Sequence, residues 1–437
     1  MESRLWRRGV ILVSTMLPAA SNVATPAVLA LSAGLGFVGL WLATRASIQL
    51  ALACIPSPAT ALLQLGPSDN EAKRQALLDA VLLYIGGTAI LAFTITLGTV
   101  VFLEVLSLSS AVLLSLYSLV FAASGNCSVL VRVHQRGDVL LRISIVDALL
   151  NVAALLAAYY ALQFFLSVMV VKELLRIALC MAVIPKRFRF SFPIKKITGI
   201  GGPQILRNFL QVASQHGDRI VMPTAFGLAA SGLSGIGSVL GAALSMLSSS
   251  AYIWALPKVL AADHIAENWV VDEWARLNYV IGWLAVCCSI VAPFLPHVKG
   301  IETVGMGLAY ASVMGVSFLG LVSSRTFAVS SRSVLLHGSG LCIAWLTLIG
   351  AAAAGVSQPI SMALSISVLL LIVCIVYRQL LRWKRLLGSA LVLLSAVWTV
   401  AGSSLLPDSV LYLVWMIVLD AGLFISISYQ LMRRKLR

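Results

Sequence analysis

Charge is what this chain has little of: Asp, Glu, Lys and Arg make up 11% of its 437 residues, against about 25% in ordinary soluble domains. With 60% of the residues hydrophobic, a soluble globular class is excluded and a polytopic membrane protein is indicated. Acids are the scarcer sign, 16 against 31 bases, for a net charge of +15. In a soluble protein that surplus would raise nucleic acid as a partner. Here most of the bases lie between apolar runs, so no nucleic-acid partner is expected. The seven cysteines all sit in apolar runs without metal-ligand spacing, which argues against a disulfide framework and a zinc site. Phosphate-binding glycine loops, histidine metal pairs and nucleophile elbows are also missing. The expectation is therefore a protein that is not an enzyme, is not itself driven by ATP, and carries no metal and no cofactor.

Long apolar runs are what the chain has instead. Spanning the hydrocarbon core takes about 20 such residues, and fourteen runs qualify: 10–31, 37–64, 77–103, 110–131, 139–160, 163–184, 199–226, 232–256, 275–295, 304–324, 334–354, 360–381, 386–405 and 411–431. Open sheet edges cannot satisfy their backbone in lipid, so the fold class is all-α. The first run follows Arg4, Arg7 and Arg8 and exceeds a signal-peptide core of about 7–15 residues, so it is kept as a span. Alternate loops carry nearly all the bases, among them Lys73, Arg74, Arg132, Arg136, Lys258 and Arg382, while the opposite loops are short and hold only Lys299. That asymmetry places both termini in the cytoplasm.

A weak internal repeat recurs at an offset of 193: Ala20-Ser21-Asn22 against Ala213-Ser214-Gln215, and Gly34-Leu35 with Gly39-Leu40 against Gly227-Leu228 with Gly232-Leu233. Six spans separate the copies, which gives two parallel six-helix lobes related by an axis along the membrane normal. The expected organisation is an N-terminal lobe 1–184, a basic cytoplasmic linker 185–197, a second lobe 198–385, and an added hairpin with a basic tail, 386–437.

Within the runs lie Arg45, Arg142, Lys172, Arg176, Arg207 and Arg219, with the acids Asp147, Glu173, Asp218 and Asp420. A charge at membrane depth costs roughly 2.5–3.5 kcal/mol on insertion scales, so such groups face water or a partner. The excess is positive, which points to an anionic cargo. Arg45 lies about nine residues into its run, roughly 13 Å from the outer end at 1.5 Å per residue, too deep to snorkel easily. Lys172 and Arg176 share a helix face, with Glu173 able to pair with Arg176 at i, i+3. Asp147 shares a face with Asn151. Glu173 and Asp147 either line a cavity or tie their helices together by salt bridges. The seventh run has a polar stripe at Gln204, Arg207, Asn208, Gln211, Gln215 and Asp218, whose spacing of three and four marks one helical face. That stripe is either a cavity wall or a face packed by hydrogen bonds. His216 either couples transport to protons or simply hydrogen-bonds, and Asp420 either pairs with a neighbouring span or marks a second site.

This layout resembles the polysaccharide transporter family of Wzx-like lipid-linked oligosaccharide flippases, within the multidrug/oligosaccharidyl-lipid/polysaccharide exporter superfamily. The likeness rests on the two six-span halves, on Asn22 to Pro26 followed by Gly34 to Trp41, and on Gly201-Gly202-Pro203 continuing to Gly217-Asp218-Arg219 and Phe226-Gly227. It implies a two-lobed flippase that moves an undecaprenyl-pyrophosphate-linked sugar unit across a bacterial inner membrane by alternating access. Arg45, Lys172, Arg176, Arg207 and Arg219 would form its cationic cavity, with Asp147, Asp218, His216, Gln211 and Gln215 as further cavity or coupling residues. Proton or sodium coupling stays open. Membrane lipids, a polysaccharide polymerase and a chain-length regulator would be partners. Three alternatives remain: a cation-coupled multidrug exporter, which the lack of an acid in the first span disfavours; a peptidoglycan lipid II flippase, which the count of fourteen spans suits; and a membrane glycosyltransferase or polymerase, which the short outside loops disfavour.

Overall fold

The computed structural model describes residues 24–55, 71–103, 106–133, 137–182, 216–241, 275–288, 303–310, 331–376 and 383–403, with single positions at 205, 209, 210, 212, 213 and 243. The linker 185–197, the run 411–431 and both chain ends lie outside the described residues. Every regular element among the described residues is a helix. These include α1 (Leu35–Ala53), α2 (Glu71–Leu103), α3 (Leu108–Val133), α4 (Gly137–Tyr160), α5 (Leu162–Met181) and α6 (Asp218–Phe226). There follow α7 (Leu228–Gly241) and α8 (Ala275–Cys288), then α9 (Ser331–Ala353), α10 (Gln358–Val376) and α11 (Trp383–Ser403). Among the described residues, five stretches are long and apolar enough to cross a membrane: Leu35–Ala53, Asp79–Val101, Leu108–Cys127, Asp138–Tyr160 and Gln358–Ile375. The protein is a multi-pass membrane protein.

Two compact units divide the chain: Met1–Gly34 with Ala43–Ala213, and Leu35–Leu42 with Ser214–Arg437. In the first, α2 packs along α3, and α5 packs against both α3 and α4. Helix α4 shows why these sequences bury the faces they do. Its buried positions are Val139, Ile143, Ser144, Asp147, Asn151, Ala154 and Ala158, at helical spacing, while Ile145, Leu149, Val152 and Leu156 point outward. Lipid reverses the soluble pattern, because an exposed Leu costs nothing there and an exposed carboxylate costs several kcal/mol. The helix ends on Tyr159 and Tyr160, 84% and 82% exposed, the amphipathic rings favoured where hydrocarbon meets headgroups. Hydroxyls buried in these helices bond back to carbonyls of the preceding turn, as Thr88 does to Tyr84, Thr96 to Ala92, Ser115 to Ala111 and Ser118 to Leu114. This spares them an unsatisfied donor.

In the second unit, α6 packs against α9, α9 against α10, and α10 against α11. Gln358 at the start of α10 donates to the Ala230 carbonyl in α7 at 3.1 Å. The sequence repeat has a structural counterpart here. Gly34 and Gly227 precede α1 and α7 with φ of 86° and 83°, a region that side-chain-bearing residues rarely enter. One turn further, α1 and α7 cross backbone against backbone. A methyl group on Gly39 would strike the Leu228 carbonyl, and one on Gly232 would strike the Leu35 carbonyl. The contact is reciprocal, as a local two-fold relation between repeat-equivalent residues requires.

Candidate functional site

A buried ionic network lies in the first unit. From α5, the Lys172 ammonium lies 3.1 Å from Glu173 Oε1 and donates to Asn151 Oδ1 in α4 at 3.2 Å. Arg176, one turn on, reaches Asp147 Oδ2 at 3.7 Å and Glu173 Oε2 at 3.9 Å. From α3, the Ser124 hydroxyl donates to Glu173 Oε2. Side-chain exposure is 8% for Lys172, 8% for Asp147 and 1% for Glu173, whereas Arg176 is 25% exposed. The network is therefore closed on three members and open at the guanidinium. Three helices contribute to it because each carries polar residues on the face it packs inward.

Arg45 adjoins the network from α1. Its guanidinium stands over the Phe121 ring, 4.8 Å from the centroid, and Phe121 stacks on Tyr117 with centroids 5.5 Å apart. Tyr117 lies within the fields of Arg45, Glu173, Arg176 and Asp147 together. The sequence suggested that Lys172 and Arg176 share one acid and leave a surplus. The fold supplies Asp147 as a second acid, so the charges of Lys172, Arg176, Glu173 and Asp147 balance, and Arg45 lies beside them.

The second unit holds a smaller group. Asp218 and Arg219 open α6 and are both buried, at 5% and 9% exposure. Arg219 Nε donates to Ser238 Oγ in α7 at 3.2 Å, and Asp218 also hydrogen-bonds Ser238. His216 stands just before this pair, partly buried. Arg207, Gln211 and Gln215 lie outside the described residues, as does Asp420. Among the candidates, the structure thus brings together Arg45, Lys172, Arg176 and Asp147 in one group and Asp218 with Arg219 in another. It also adds residues that the charge count alone did not single out. Tyr117, Phe121 and Ser124 recur at i, i+4 and i+7 along α3, a spacing that was present in the sequence but carried no charge to draw attention.

Anion recognition is the chemistry this arrangement suits. Lys172 and Arg176 offer ammonium and guanidinium donors, and guanidinium binds phosphate oxygens in a bidentate fork. Among the described residues no three His, Cys, Asp or Glu side chains are grouped to hold a metal ion. The oxygen-rich corner between Asn151 and Glu173 is filled by the Lys172 ammonium.

No family model matches the sequence, and no curated protein matches it. Among solved structures, the lipid II flippase MurJ in its inward closed conformation is similar over 99% of this chain and 100% of that one, with a TM-score of 0.63 at 13% identity. An alignment so complete at so low an identity is a likeness of fold, and this membrane chain, whose regular elements among the described residues are all helices, shares that fold.

Proposed function

We propose that this protein is a flippase that carries a polyprenyl-pyrophosphate-linked oligosaccharide, a repeat unit of O-antigen, capsule or exopolysaccharide, from the inner to the outer leaflet of a bacterial cytoplasmic membrane. One observation carries the reading: within apolar spans, Lys172 and Arg176 share a buried network whose guanidinium end stays 25% exposed, with Arg45 beside it. The Arg176 guanidinium is held by two long pairs, at 3.7 and 3.9 Å, so it can turn to a phosphate that enters from the headgroup region. The polyprenyl tail stays in lipid throughout, where apolar matter belongs. Arg207 and Arg219 are further candidate cations for the cargo in this reading, and transport proceeds by alternating access. Asp147, Asp218, His216, Gln211 and Gln215 are candidates to contact the cargo or to carry a coupling proton or sodium ion. A polysaccharide polymerase and a chain-length regulator would act on the delivered unit.

A second reading takes lipid II as the cargo, and the end-to-end likeness to a lipid II flippase favours it. Both readings require an anionic headgroup and are tested together. Replacing Arg45 with Ala should stop delivery of the lipid-linked unit to the outer leaflet while the protein remains in the membrane. If surface polysaccharide is lost, the oligosaccharide reading stands; if instead cells survive loss of another lipid II flippase only with the unsubstituted chain, the cargo is lipid II. Normal transport in both assays would end the anion-cavity assignment.

A further inference from the structure

Glu173 belongs to no pairing that the transport reading requires, yet it is the most buried member of the network and the one that touches most of the others. Both of its oxygens are engaged: Oε1 by Lys172 at 3.1 Å, Oε2 by Ser124 and, at 3.9 Å, by Arg176. A carboxylate with two oxygens held by an ammonium, a guanidinium and a hydroxyl has the surroundings of one phosphate group. Resting on the anionic-cargo reading, we propose that Glu173 is a resident counter-anion: it occupies Lys172 and Arg176 in the empty transporter, is displaced from them by the pyrophosphate of the cargo, and resumes its place when the cargo leaves.

Three features of the geometry support such an exchange. Entry begins at Arg176, whose pairs of 3.7 and 3.9 Å are long for charge-assisted bonds, normally about 2.7–2.9 Å. That guanidinium is also the exposed end of the network, at 25% against 1% for Glu173. Asp147 shares Arg176, so the guanidinium can turn without losing every partner. Ser124 is a neutral donor on a different helix from the two bases. It remains with the carboxylate when Lys172 and Arg176 turn to phosphate, and it limits the cost of leaving that charge with fewer cations. No group is consumed, so the exchange reverses when the headgroup is released. A transporter needs this: a cavity of bare cations would bind pyrophosphate and keep it, whereas a resident competitor lowers ground-state affinity and speeds release.

Substitutions at Glu173 and Ser124 should shift affinity in opposite directions, which a plain structural role would not do. The full chain in nanodiscs of zwitterionic lipid is titrated calorimetrically with inorganic pyrophosphate. Glu173→Gln removes the competitor and should tighten binding on the order of tenfold, since close charge pairs couple by about 1.5 kcal/mol or more. Release should slow, so transport of the lipid-linked unit by that variant should fall. Ser124→Ala leaves the charge but removes its neutral partner, and should weaken binding several-fold. Weakening in both variants, or no change in either, overturns the proposal. Should Glu173→Gln fail to accumulate, Ser124→Ala decides alone: weaker binding supports the proposal and unchanged binding overturns it. Lys172→Gln separates the two levels. If it abolishes pyrophosphate binding while Glu173→Gln leaves affinity unchanged, the anionic-cargo reading stands without the competitor. If the unsubstituted chain binds no pyrophosphate and Lys172→Gln transports normally, both fall.

Discussion

The two buried ionic groups use the same residue types and differ in what their surroundings leave open. In the first unit, Lys172, Glu173, Arg176, Asp147 and Ser124 come from three helices, share partners, and end in a guanidinium that is 25% exposed. In the second, Asp218 and Arg219 are neighbours on one short helix, both converge on Ser238, and neither exceeds 9% exposure. A shared and partly open network can exchange partners as it stands; a closed group can do so only if its helix moves. Basic residues in apolar spans are thus two kinds of feature. The difference lies in their partners and not in the residues.

The sharpest way to break this contrast is Asp218→Ala. The substitution takes a buried carboxylate from beside Arg219 and Ser238, and breaking a buried ionic group costs about 3–5 kcal/mol, so a large drop in the thermal midpoint of the detergent-solubilised protein is expected, with transport lost as protein is lost. A variant with an unchanged midpoint and abolished transport would tie Asp218 to the transport step itself, with no share in stability. Next in size is the reciprocal crossing of α1 and α7. Gly39→Ala and Gly232→Ala each push a methyl group into the opposite carbonyl, and overpacking of this kind costs about 1–3 kcal/mol. Both substitutions should destabilise by similar amounts, because the sites mirror one another. Gly36→Ala is the control: nothing lies within 4 Å of its added carbon, so it should be neutral or gain up to about 1 kcal/mol in the helix. Unequal losses at 39 and 232 would show that the repeat does not extend to the energetics of the crossing.

Much of this architecture could be read from apolar run length and from one repeat. The runs 139–160 and 163–184 correspond to α4 at Gly137–Tyr160 and α5 at Leu162–Met181, because lipid forces helices wherever the chain is apolar for long enough. The repeat of Gly34, Gly39, Gly227 and Gly232 was visible as a pattern, and the contact between its copies was not, since it depends on how helices cross. Pairing was the least legible. The i, i+3 relation of Glu173 and Arg176 appears at 3.9 Å, but the closer contact is between Lys172 and Glu173, adjacent in sequence. Adjacent side chains on a helix diverge by about 100° and meet only when their long arms are bent together by what packs over them. Asp147 and Ser124 do that packing here, and no local rule names them.

The smallest expected effect concerns Arg45, which adjoins the open network and is held over the face of Phe121 at 4.8 Å. Phe121→Leu keeps most of the volume and removes the ring quadrupole. A cation over an aromatic face gains about 0.5–1 kcal/mol when exposed and about 2 when desolvated. Affinity for inorganic pyrophosphate should therefore fall by between about twofold and thirtyfold, with the thermal midpoint nearly unchanged. A ring that merely fills space would give the reverse, a lowered midpoint and unaltered affinity, because Leu packs less well against Tyr117 but leaves the charge of Arg45 intact. A split in the first sense would put the aromatic ladder of α3 with the exchanging network; one in the second would return Phe121 to the core and leave Arg45 to be positioned by its other neighbours.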